Sequence, residues 1–502
     1  MNGLLKGIFI LLMSLVCNSI VLGQNNPYPN HTVYTANHIK PTNYTQVNLD
    51  NQTSYFYNLW KAEYLKNDCG NTDEYYIKID PNRKTVSEAH GYGMMITAYF
   101  AGFDANAKLY FDGLYNYYKS NPSIVNAALM DWEQVTCNDA VSSSDGSASD
   151  GDIDIAFALL LAHQQWGSAG VIDYLSEANA VMIAIMQHEI NQQTFTVTLG
   201  DWVNSSNPNY YYSTRASDFM MDHFKTFSCF TNNSNWDNVV NNTYNLVTTI
   251  QDNYSANTGL LPDFIINLNG TPSPAGGNFL EGPNDGRYYY NSCRVPWRLG
   301  VDYLTSGDSR PQIAVNKINT WLKNDCNSNV WNISNGYHLN GTDIFNWSDA
   351  TFVAPFVVAA MLNTTEQAWL NTMYSHLLTN NGFSYNYYAD TIKLLSMVAI
   401  SGNYWIPTCP NSAGIEDANS LENKVNLYPN TTNGIAFIDF SEKFRNNNKI
   451  IFITDVNGRQ LLKQTTQLNK YEVDLSSYES GLYFVSIKIE NEITISKKII
   501  KK

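Results

Sequence analysis

Two acidic stretches of this sequence carry side chains whose types and spacing suit acid–base chemistry. In the first, ASDGD at residues 148–152, a polar run ends and an apolar run at 153–162 begins at once. Ser149 and Asp150 are both good helix N-caps, so the pattern predicts a loop that delivers Asp150 to the start of a buried helix. The free amides and the positive end of the helix dipole favour an ionised carboxylate there. A fixed negative charge suits a site where positive charge develops on a substrate, and a purely capping role is an equal alternative.

The second stretch is SEAHGYGM, residues 87–94, in which Glu88 stands beside an expected helix start. The residues that follow it, among them Tyr92 and Met94, are largely apolar. Apolar surroundings disfavour the charged form of a carboxyl group and raise its pKa, which a general acid needs at neutral pH. We therefore expect Glu88 to donate a proton. The alternative is a capping glutamate beside a packed His90.

The spacing of potential ligands does not favour metal chemistry. Asp150, Asp152 and Asp154 alternate as in a calcium loop, but Ile155 stands where that loop needs glycine. Of seven cysteines, one lies in the first 23 residues, and the other six contain no C-x-x-C pair. The sequence thus predicts no metal and no cofactor, and the six cysteines permit disulfides whose pairing stays open. These cysteines are Cys69, Cys137, Cys229, Cys293, Cys326 and Cys409.

Composition narrows the class of protein. A chain of 502 residues is long enough for two domains, and 44% hydrophobic with 15% charged residues is typical of a globular protein. The formal net charge of −15 argues against nucleic acid as a partner and is compatible with a cationic polymer. An aromatic content of 13% suggests a surface on which sugar rings stack.

The first residues have the features of an export signal. They contain a lysine, an apolar core and small residues before Gln24, which predicts a secretory signal peptide, residues 1–23, cut near Gly23. No later run is long and apolar enough to span a bilayer.

Residues 24–410 are predicted to form one domain. Within it, from about residue 51 to residue 406, one pattern repeats, a helix with apolar periodicity followed by a long loop rich in Asn, Gly, Tyr and Asp. Eleven such helices with few strand signals favour an all-α fold of paired helices closed into a ring over a βαβ sheet. An open helical solenoid is the alternative, and the lack of a fixed sequence period argues against it. The predicted helices cover residues 55–64, 92–103, 105–118, 153–166, 174–188, 236–254, 294–305, 311–323, 351–362, 366–378 and 387–401.

The pattern changes after Pro410. Residues 411–423 are predicted to be a linker, and short alternating segments within 424–502 predict a small all-β sandwich with an Asn-Gly turn at 457–458. The predicted strands cover residues 425–428, 435–440, 449–455, 471–475 and 483–487.

This C-terminal segment resembles the sorting domain of the type IX secretion system. The resemblance rests on its VNLYPN opening, its ITDVNGRQLL hairpin, its SGLYFVSI strand and its basic end. It implies export by a Bacteroidetes-type bacterium, either into the medium or onto the cell surface. A carbohydrate-binding module is the alternative, and the absence of tryptophan from the segment disfavours it.

Three blocks of the preceding region resemble glycoside hydrolase family 8. They are ASDGD with its apolar continuation, SEAHGYGM, and YNSCRVPWR at residues 290–298. The resemblance spans roughly residues 51–408 and implies an (α/α)6 barrel that hydrolyses β-1,4-type glycans with inversion at the anomeric carbon. It also implies that Glu88 is the proton donor and that Asp150 binds and helps to distort the sugar at the point of cleavage. The third block would contribute substrate-binding side chains, namely Tyr290, Asn291 and Arg294.

One departure from the family pattern affects the general base. Many members have an aspartate where this chain has Asn291, and an amide cannot accept a proton from water. In one branch of the family the base is a glutamate about ten residues upstream, in a loop of the form F-L-E, which residues 279–281 match. We therefore assign the base to Glu281, with Asp285 as the fallback. A merely solvated Glu281 is the alternative.

The branch with this base resembles chitosanases and β-1,3-1,4-glucanases (licheninases), with some cellulases. The segment TRASDF at 214–219 and Asp-His at 222–223 also resemble that branch, and we expect them to shape the floor of the cleft. Arg215 is expected to pair with Asp218 or with a catalytic carboxylate. A buried ion pair with no other role is at least as good an interpretation.

Trp132 and Trp202 are candidate platforms for stacking of sugar rings. Each follows an aspartate in a short polar context, in MDWE and GDW respectively. For each of them, packing in the core is an equal alternative.

Together these features predict a secreted, metal-independent, inverting endo-glycanase. Because chitosan is a polycation below neutral pH, the acidic chain favours it slightly, with mixed-linkage glucan or cellulose as the alternatives. A glycan-binding protein on an inactive hydrolase scaffold is a rival that Asn291 supports and the two retained glutamates oppose. A lyase of uronic acid polymers would need a basic cluster, and none is seen. The expected partners are a polysaccharide and the type IX secretion machinery.

Overall fold

The computed structural model describes residues 24–81, 83–137, 146–380, 382–409, 425–440, 444, 447–456, 459–489 and 493–502. The predicted signal peptide and linker lie outside these residues. The chain divides into two compact units, Met1–Thr408 and Cys409–Lys502. In the described part of the chain, no helix has both the length and the apolar composition needed to cross a membrane.

The first unit is built from helices joined by long loops. Each of the eleven predicted helical segments overlaps an observed helix, with ends displaced by a few residues except at the earlier start of the first. The helices are α1 Gln46–Tyr64, α2 Ser87–Tyr99, α3 Ala107–Ser120, α4 Ser149–Trp166, α5 Tyr174–His188, the single turn α6 Pro208–Tyr211, α7 Met221–Thr231, α8 Asn235–Tyr254, α9 Val295–Ser306, α10 Ser309–Asp325, α11 Ala350–Met361, α12 Gln367–Thr379 and α13 Tyr387–Ile400.

Six of these helices form a closed inner ring, in which α2, α4, α7, α9, α11 and α13 each pack on the next and α13 packs back on α2. The remaining long helices form an outer layer, in which α3, α5, α8, α10, α12 and α1 each pack mainly on one inner helix. Inner helices such as α11, whose residues are all buried, are apolar on every side. Closure of the ring confirms the (α/α)6 barrel and excludes the open solenoid.

The sequence analysis missed the inner helix α7. Its buried face includes the polar Asp222 and His223, which broke the apolar periodicity. The His223 ring bonds to Asp222 on one side (2.9 Å) and to Asp154 on the other (3.0 Å), and the Arg298 guanidinium donates to both oxygens of Asp154. This fully buried group lies among the inner helices rather than among the residues that line the cleft described below. The predicted role of residues 222–223 as cleft floor is therefore replaced by a role inside the barrel.

Three of the predicted site residues lie at the N-terminal ends of inner helices. Glu88 is in the first turn of α2, Asp150 is in the first turn of α4, and Arg294 immediately precedes α9. Asp150 is not an N-cap, because α4 begins at Ser149 and its N-cap, Ala148, has no capping side chain. Asp150 is therefore left to make other contacts.

Short strands connect the loops at this end of the barrel. Strand β3 (Thr85–Val86) pairs with β4 (Glu133–Gln134), β7 (Thr214–Arg215) pairs with β8 (Phe264–Ile266), and β8 pairs with β9 (Ser273–Pro274), all antiparallel. The strands of the first unit are β1 Leu65–Lys66, β2 Tyr76–Ile77, β3 Thr85–Val86, β4 Glu133–Gln134, β5 Ile190–Asn191, β6 Thr196–Val197, β7 Thr214–Arg215, β8 Phe264–Ile266 and β9 Ser273–Pro274.

Four of the six cysteines are oxidised. Cys69 forms a disulfide with Cys137, and Cys229 and Cys409 are disulfide-bonded as well. Cys293 and Cys326 are buried free thiols. The sequence had left this pairing open.

The second unit is all-β, with one sheet of order β10-β12-β15 and another of order β11-β17-β16-β13-β14. Burial alternates along the strands, as in Lys449–Thr454, and the buried side chains form a separate apolar core. The predicted β-sandwich is therefore present. Its strands are β10 Val425–Tyr428, β11 Thr431–Thr432, β12 Ile435–Phe440, β13 Lys449–Thr454, β14 Gln460–Thr466, β15 Lys470–Asp474, β16 Gly481–Ile489 and β17 Ile493–Lys501.

Candidate active site

A cleft of about 360 Å³ brings together most of the residues that the sequence singled out. Glu88, Asp150 and Glu281, which are far apart in the chain, all contribute to its wall. The lining residues are Arg83, Val86, Ser87, Glu88, Trp132, Ala148, Asp150, Arg215, Glu281, Tyr290, Asn291, Arg294 and Tyr388.

Glu88 is held from two sides at the start of α2. Arg294 Nη1 donates to its Oε2 (2.6 Å), and the Tyr387 hydroxyl donates to its Oε1 (3.0 Å). Burial raises the pKa of the Glu88 carboxyl above its usual value; Arg294 opposes this shift and the nearby Asp150 charge adds to it. This carboxyl group is therefore suited to keep a proton that it can donate.

Asp150 has the opposite electrostatic setting. Its Oδ1 accepts from Arg215 Nη2 (2.9 Å) and from the Gly151 amide (3.0 Å), and its Oδ2 accepts from Arg294 Nη1 (3.2 Å). Burial alone would raise the pKa of Asp150, but the Arg215 and Arg294 charges outweigh it and hold that pKa below its usual value. A carboxyl group with a lowered pKa thus lies beside one with a raised pKa.

Glu281 lies on a loop rather than on a helix, and its side chain is 46% exposed. Asn291 Nδ2 donates to its Oε2 at 2.8 Å, and Arg215 Nη1 lies 3.5 Å from its Oε1. The amide at position 291 therefore acts as a hydrogen-bond donor to the glutamate upstream. A carboxylate that is fixed yet open to water can accept a proton from a water molecule.

Arg294 connects these groups. Besides donating to Glu88 and Asp150, its Nη1 donates to the Tyr92 hydroxyl (3.0 Å), and its Nη2 donates to Asn291 Oδ1 (2.9 Å). The side chain is almost fully buried, with 1% of its surface exposed. A planar guanidinium with several donors in fixed directions suits such bridging better than a lysine ammonium.

Arg215 makes a second bridge. Its Nε donates to Asp218 Oδ1 (3.2 Å), while its two terminal nitrogens reach Asp150 and Glu281. The two pairings considered from the sequence therefore occur together. Burial raises the pKa of Asp218 to about 6, even though Arg215 opposes the shift. Asp218 is fully buried and supports Arg215 from below without lining the cleft.

Aromatic side chains form part of the cleft wall. Trp132 lines the cleft, with the Arg83 guanidinium 5.5 Å from its ring centre. Tyr290 also lines it, and its hydroxyl accepts from Asn335 Nδ2 (3.2 Å). Trp202 instead packs edge-on against Tyr210 in an apolar cluster, so the structure favours the core-packing interpretation for Trp202.

Asp285, the fallback base, does not line the cleft. Its carboxylate accepts hydrogen bonds from three backbone amides of its own loop, those of Leu280, Glu281 and Gly282. It is 3% exposed.

Sequence reasoning missed several side chains that belong to this site. Arg83 and Tyr388 line the cleft, and Tyr387 contacts Glu88, yet none lies in a motif block. Asp263 was also missed: its Oδ1 accepts from the Tyr289 amide and from the amide and hydroxyl of Ser292, which fixes the turn before Asn291. An aspartate inside the apolar run LLPDFII was the only available signal.

Comparison with known proteins agrees with this geometry. The family model "Glycosyl hydrolases family 8" matches residues 40–402, and the model "Secretion system C-terminal sorting domain" matches residues 426–502. A "Beta-glucanase" of Niallia circulans is 45% identical over 381 residues, covering 76% of this chain and 91% of the relative.

Two further relatives extend the comparison. An "Endoglucanase" of Bacillus sp. strain KSM-330 is 36% identical over 419 residues, covering 82% of this chain and 86% of the relative. The apo structure of beta-1,3-1,4-glucanase from Paenibacillus sp. X4 superposes with a TM-score of 0.73 at 45% identity, covering 76% of this chain and all of that one.

Proposed function

This chain belongs to family 8 of the glycosyl hydrolases, and on that basis we propose that it cleaves β-1,3-1,4-glucan with inversion at the anomeric carbon. It is a glycoside hydrolase of the endo-glycanase type, which excludes the glycan-binding protein and the lyase as main functions. Its C-terminal sorting domain indicates secretion by the type IX route of Bacteroidetes-type bacteria.

The observation that supports the mechanism is the pair of neighbouring carboxyl groups whose pKa values are displaced in opposite directions. Such divergence is how enzymes divide acid and charge-stabilising roles between two carboxyl groups. In our proposal, Glu88 protonates the glycosidic oxygen as its bond to the anomeric carbon breaks. Asp150 remains ionised and stabilises the positive charge that develops on the sugar ring.

Glu281 is the proposed base. It would remove a proton from a water molecule as that water attacks the anomeric carbon from the face opposite the leaving group. Between the Glu88 and Glu281 carboxylates stand two side chains in series, Arg294 and Asn291, each hydrogen-bonded to the next. Two side chains thus separate the proposed acid from the proposed base, and inversion requires room for a water between carboxyl groups roughly 6.5–9.5 Å apart.

Asn291 cannot act as the base itself, and its contacts suggest what it does instead. Its oxygen accepts from Arg294 and its nitrogen donates to Glu281, so the amide fixes the orientation of the proposed base. An aspartate at this position would place a second negative charge against Glu281. Asparagine at 291 and glutamate at 281 are therefore mutually compatible choices.

The substrate proposed here is mixed-linkage glucan rather than chitosan. The charge-based preference for chitosan gains no support from the relatives, whose names favour glucan. The lining residues of the cleft contain three arginines and three acidic residues, so the overall charge of −15 is not concentrated there. A polycation needs surplus negative charge where it binds, whereas net charge describes the whole surface.

A reducing-sugar assay of the purified chain tests this proposal. Barley mixed-linkage glucan, carboxymethylcellulose, chitosan and xylan are compared at equal mass, and the first product anomer is followed by NMR. We expect the highest kcat/KM on mixed-linkage glucan, α-anomeric products, and a loss of roughly 10²–10⁴-fold in kcat for Glu88→Gln and for Glu281→Gln. A higher kcat/KM on chitosan would contradict the substrate, and β-anomeric products would contradict the mechanism.

A further inference from the structure

We propose that Asp285 is a positioning residue for the catalytic base: its carboxylate binds the backbone on which Glu281 is carried. This inference rests on the proposed role of Glu281. It also gives Asp285 a function distinct from the fallback base that the sequence suggested.

Three consecutive amides converge on this one carboxylate. Asp285 Oδ2 accepts from the amides of Leu280 (2.7 Å) and Glu281 (3.0 Å), and Oδ1 accepts from the amide of Gly282 (2.8 Å). Successive backbone N–H groups that point inward form an anion-binding concavity. Hydrogen bonds to a charged acceptor are roughly twice as strong as neutral ones, so this set can define the path of the loop.

The backbone of Asp285 is itself anchored to strand β8. Asp285 O accepts from the Phe264 amide (2.9 Å) in β8, and β8 pairs with β7, which ends at Arg215. The Asn278 amide also donates to Gly282 O (2.6 Å), closing the loop on its other side. The loop that carries Glu281 and the side chain of Arg215 are therefore both attached to the same small sheet.

Glu281 needs such support more than Glu88 does. Its side chain is nearly half exposed and is held by Asn291 at 2.8 Å and by Arg215 at 3.5 Å. On a loop, the position of its Cα depends on the backbone hydrogen bonds around it. A displacement of about 1 Å in a reacting group costs on the order of 10²-fold in rate.

The same contacts explain why Asp285 is not the base. Both of its oxygens face loop amides, and the residue is buried and does not line the cleft. An asparagine in its place would direct an NH₂ group at one or two backbone N–H donors. The loop would then lose part of its support without any change in side-chain size.

The test uses Asp285→Asn in the full chain, with Gly276→Ala as the matched control. Gly276 lies in the same segment, and a Cβ added there meets nothing within 4 Å. Steady-state kinetics are measured on mixed-linkage glucan and on a 2,4-dinitrophenyl cello-oligosaccharide, whose leaving group departs without protonation. We expect Asp285→Asn to lower kcat by roughly 10–100-fold, with KM changed less than about threefold.

The activated substrate distinguishes a positioning role from general damage. Because water attack is needed with either leaving group, a displaced base should give the same deficit on both substrates, and the control should match wild type. Asp285→Glu keeps the charge and should recover part of the loss, which also covers the case in which Asp285→Asn fails to fold.

Several outcomes would overturn the inference. Full kcat for Asp285→Asn, or a deficit that disappears on the activated substrate, removes the positioning role while leaving Glu281 as the base. An inactive Asp285→Asn together with a fully active Glu281→Gln would instead make Asp285 the base, so the proposed function would fail in that part. Equal loss in Gly276→Ala would show that any change in the segment is harmful.

Discussion

The two glutamates proposed as acid and base lie in contrasting parts of the same cleft. Glu88 is in the first turn of a buried inner helix, and 17% of its side chain is exposed. Glu281 is on a loop, and 46% of its side chain is exposed. The proposed acid is therefore carried by a packed helix, whereas the proposed base is held on its loop by hydrogen bonds from Arg215 and Asn291 and by the bond that its own amide donates to Asp285.

This contrast matches what each group must do. A general acid needs a raised pKa, and burial in a rigid helical wall raises the pKa of Glu88. A general base must reach a water molecule, and a loop at the mouth of the barrel leaves Glu281 accessible. In this chain, the barrel thus carries the proposed acid and a loop carries the proposed base.

Arg294 contacts Glu88 directly and reaches Glu281 through Asn291, so its removal should have the largest effect. Arg294→Met leaves the buried Asp150 and Glu88 without their shared countercharge and leaves Asn291 unanchored. Removing one partner of a buried ion pair costs about 3–5 kcal/mol of folding stability, so the thermal midpoint should fall. Loss of a fixed charge that positions the reacting carboxyl groups should also lower kcat/KM by roughly 1,000-fold. Differential scanning calorimetry and the glucan assay measure the two effects.

Arg294→Lys is the matched comparison. The lysine keeps the positive charge, but its ammonium group lacks the planar guanidinium that donates to Glu88 and Asn291 at once. Compared with Arg294→Met, this variant should therefore regain more of the folding stability than of the activity. If Arg294→Met kept more than a tenth of wild-type kcat/KM, the work of the acid and of the base would not depend on the hydrogen bonds of Arg294.

Asp263, which fixes the turn before Asn291 on the base side, should make the folding stability depend on pH. Burial raises the pKa of Asp263 to about 7, against roughly 3.9 for an unfolded aspartate. Between these values the folded state binds more protons than the unfolded state, so the contribution of Asp263 to stability is greatest near pH 4 and is lost as pH rises to about 7. Asp263→Asn keeps the Oδ1 acceptor for Tyr289 and Ser292 and removes the titration.

Thermal midpoints measured from pH 4.5 to 8 check this expectation. The wild type should lose several degrees relative to Asp263→Asn as pH rises through this window. Parallel midpoint curves for the two proteins would show that Asp263 does not titrate there.

The acid side was more predictable from sequence than the base side for a physical reason. Glu88 and Asp150 lie at helix starts, where glycines and apolar periodicity mark the local structure. The contacts of Arg294 with Glu88 and of Tyr387 with Glu88 join positions 206 and 299 residues apart, and no local pattern encodes them.

Polar residues inside the barrel caused the other errors. The acidic first turn of α4 suggested that Asp150 caps its helix. Sequence alone does not show that two arginines distant in the chain donate hydrogen bonds to its carboxylate. The pairing of Asp222 with His223 hid a buried helix in the same way. Trp202 looked like a sugar platform because an aromatic residue in a polar segment gives the same signal whether it faces a cleft or packs against Tyr210.

The smallest expected effect concerns the acid alone. Tyr387 donates to Oε1 of Glu88 and so stabilises its charged form, which lowers the pKa of that carboxyl. Tyr387→Phe removes this donor, so the pKa of Glu88 should rise and the alkaline limb of the kcat/KM profile should move to higher pH, with kcat changed only a few-fold. Tyr388→Phe is the control, because the Tyr388 hydroxyl donates to the backbone oxygen of Tyr290 rather than to Glu88. If the alkaline limb moved equally in both variants, or toward lower pH in Tyr387→Phe, the pKa of Glu88 would not set that limb. The contrast between a buried acid and an exposed base would then lose its kinetic basis.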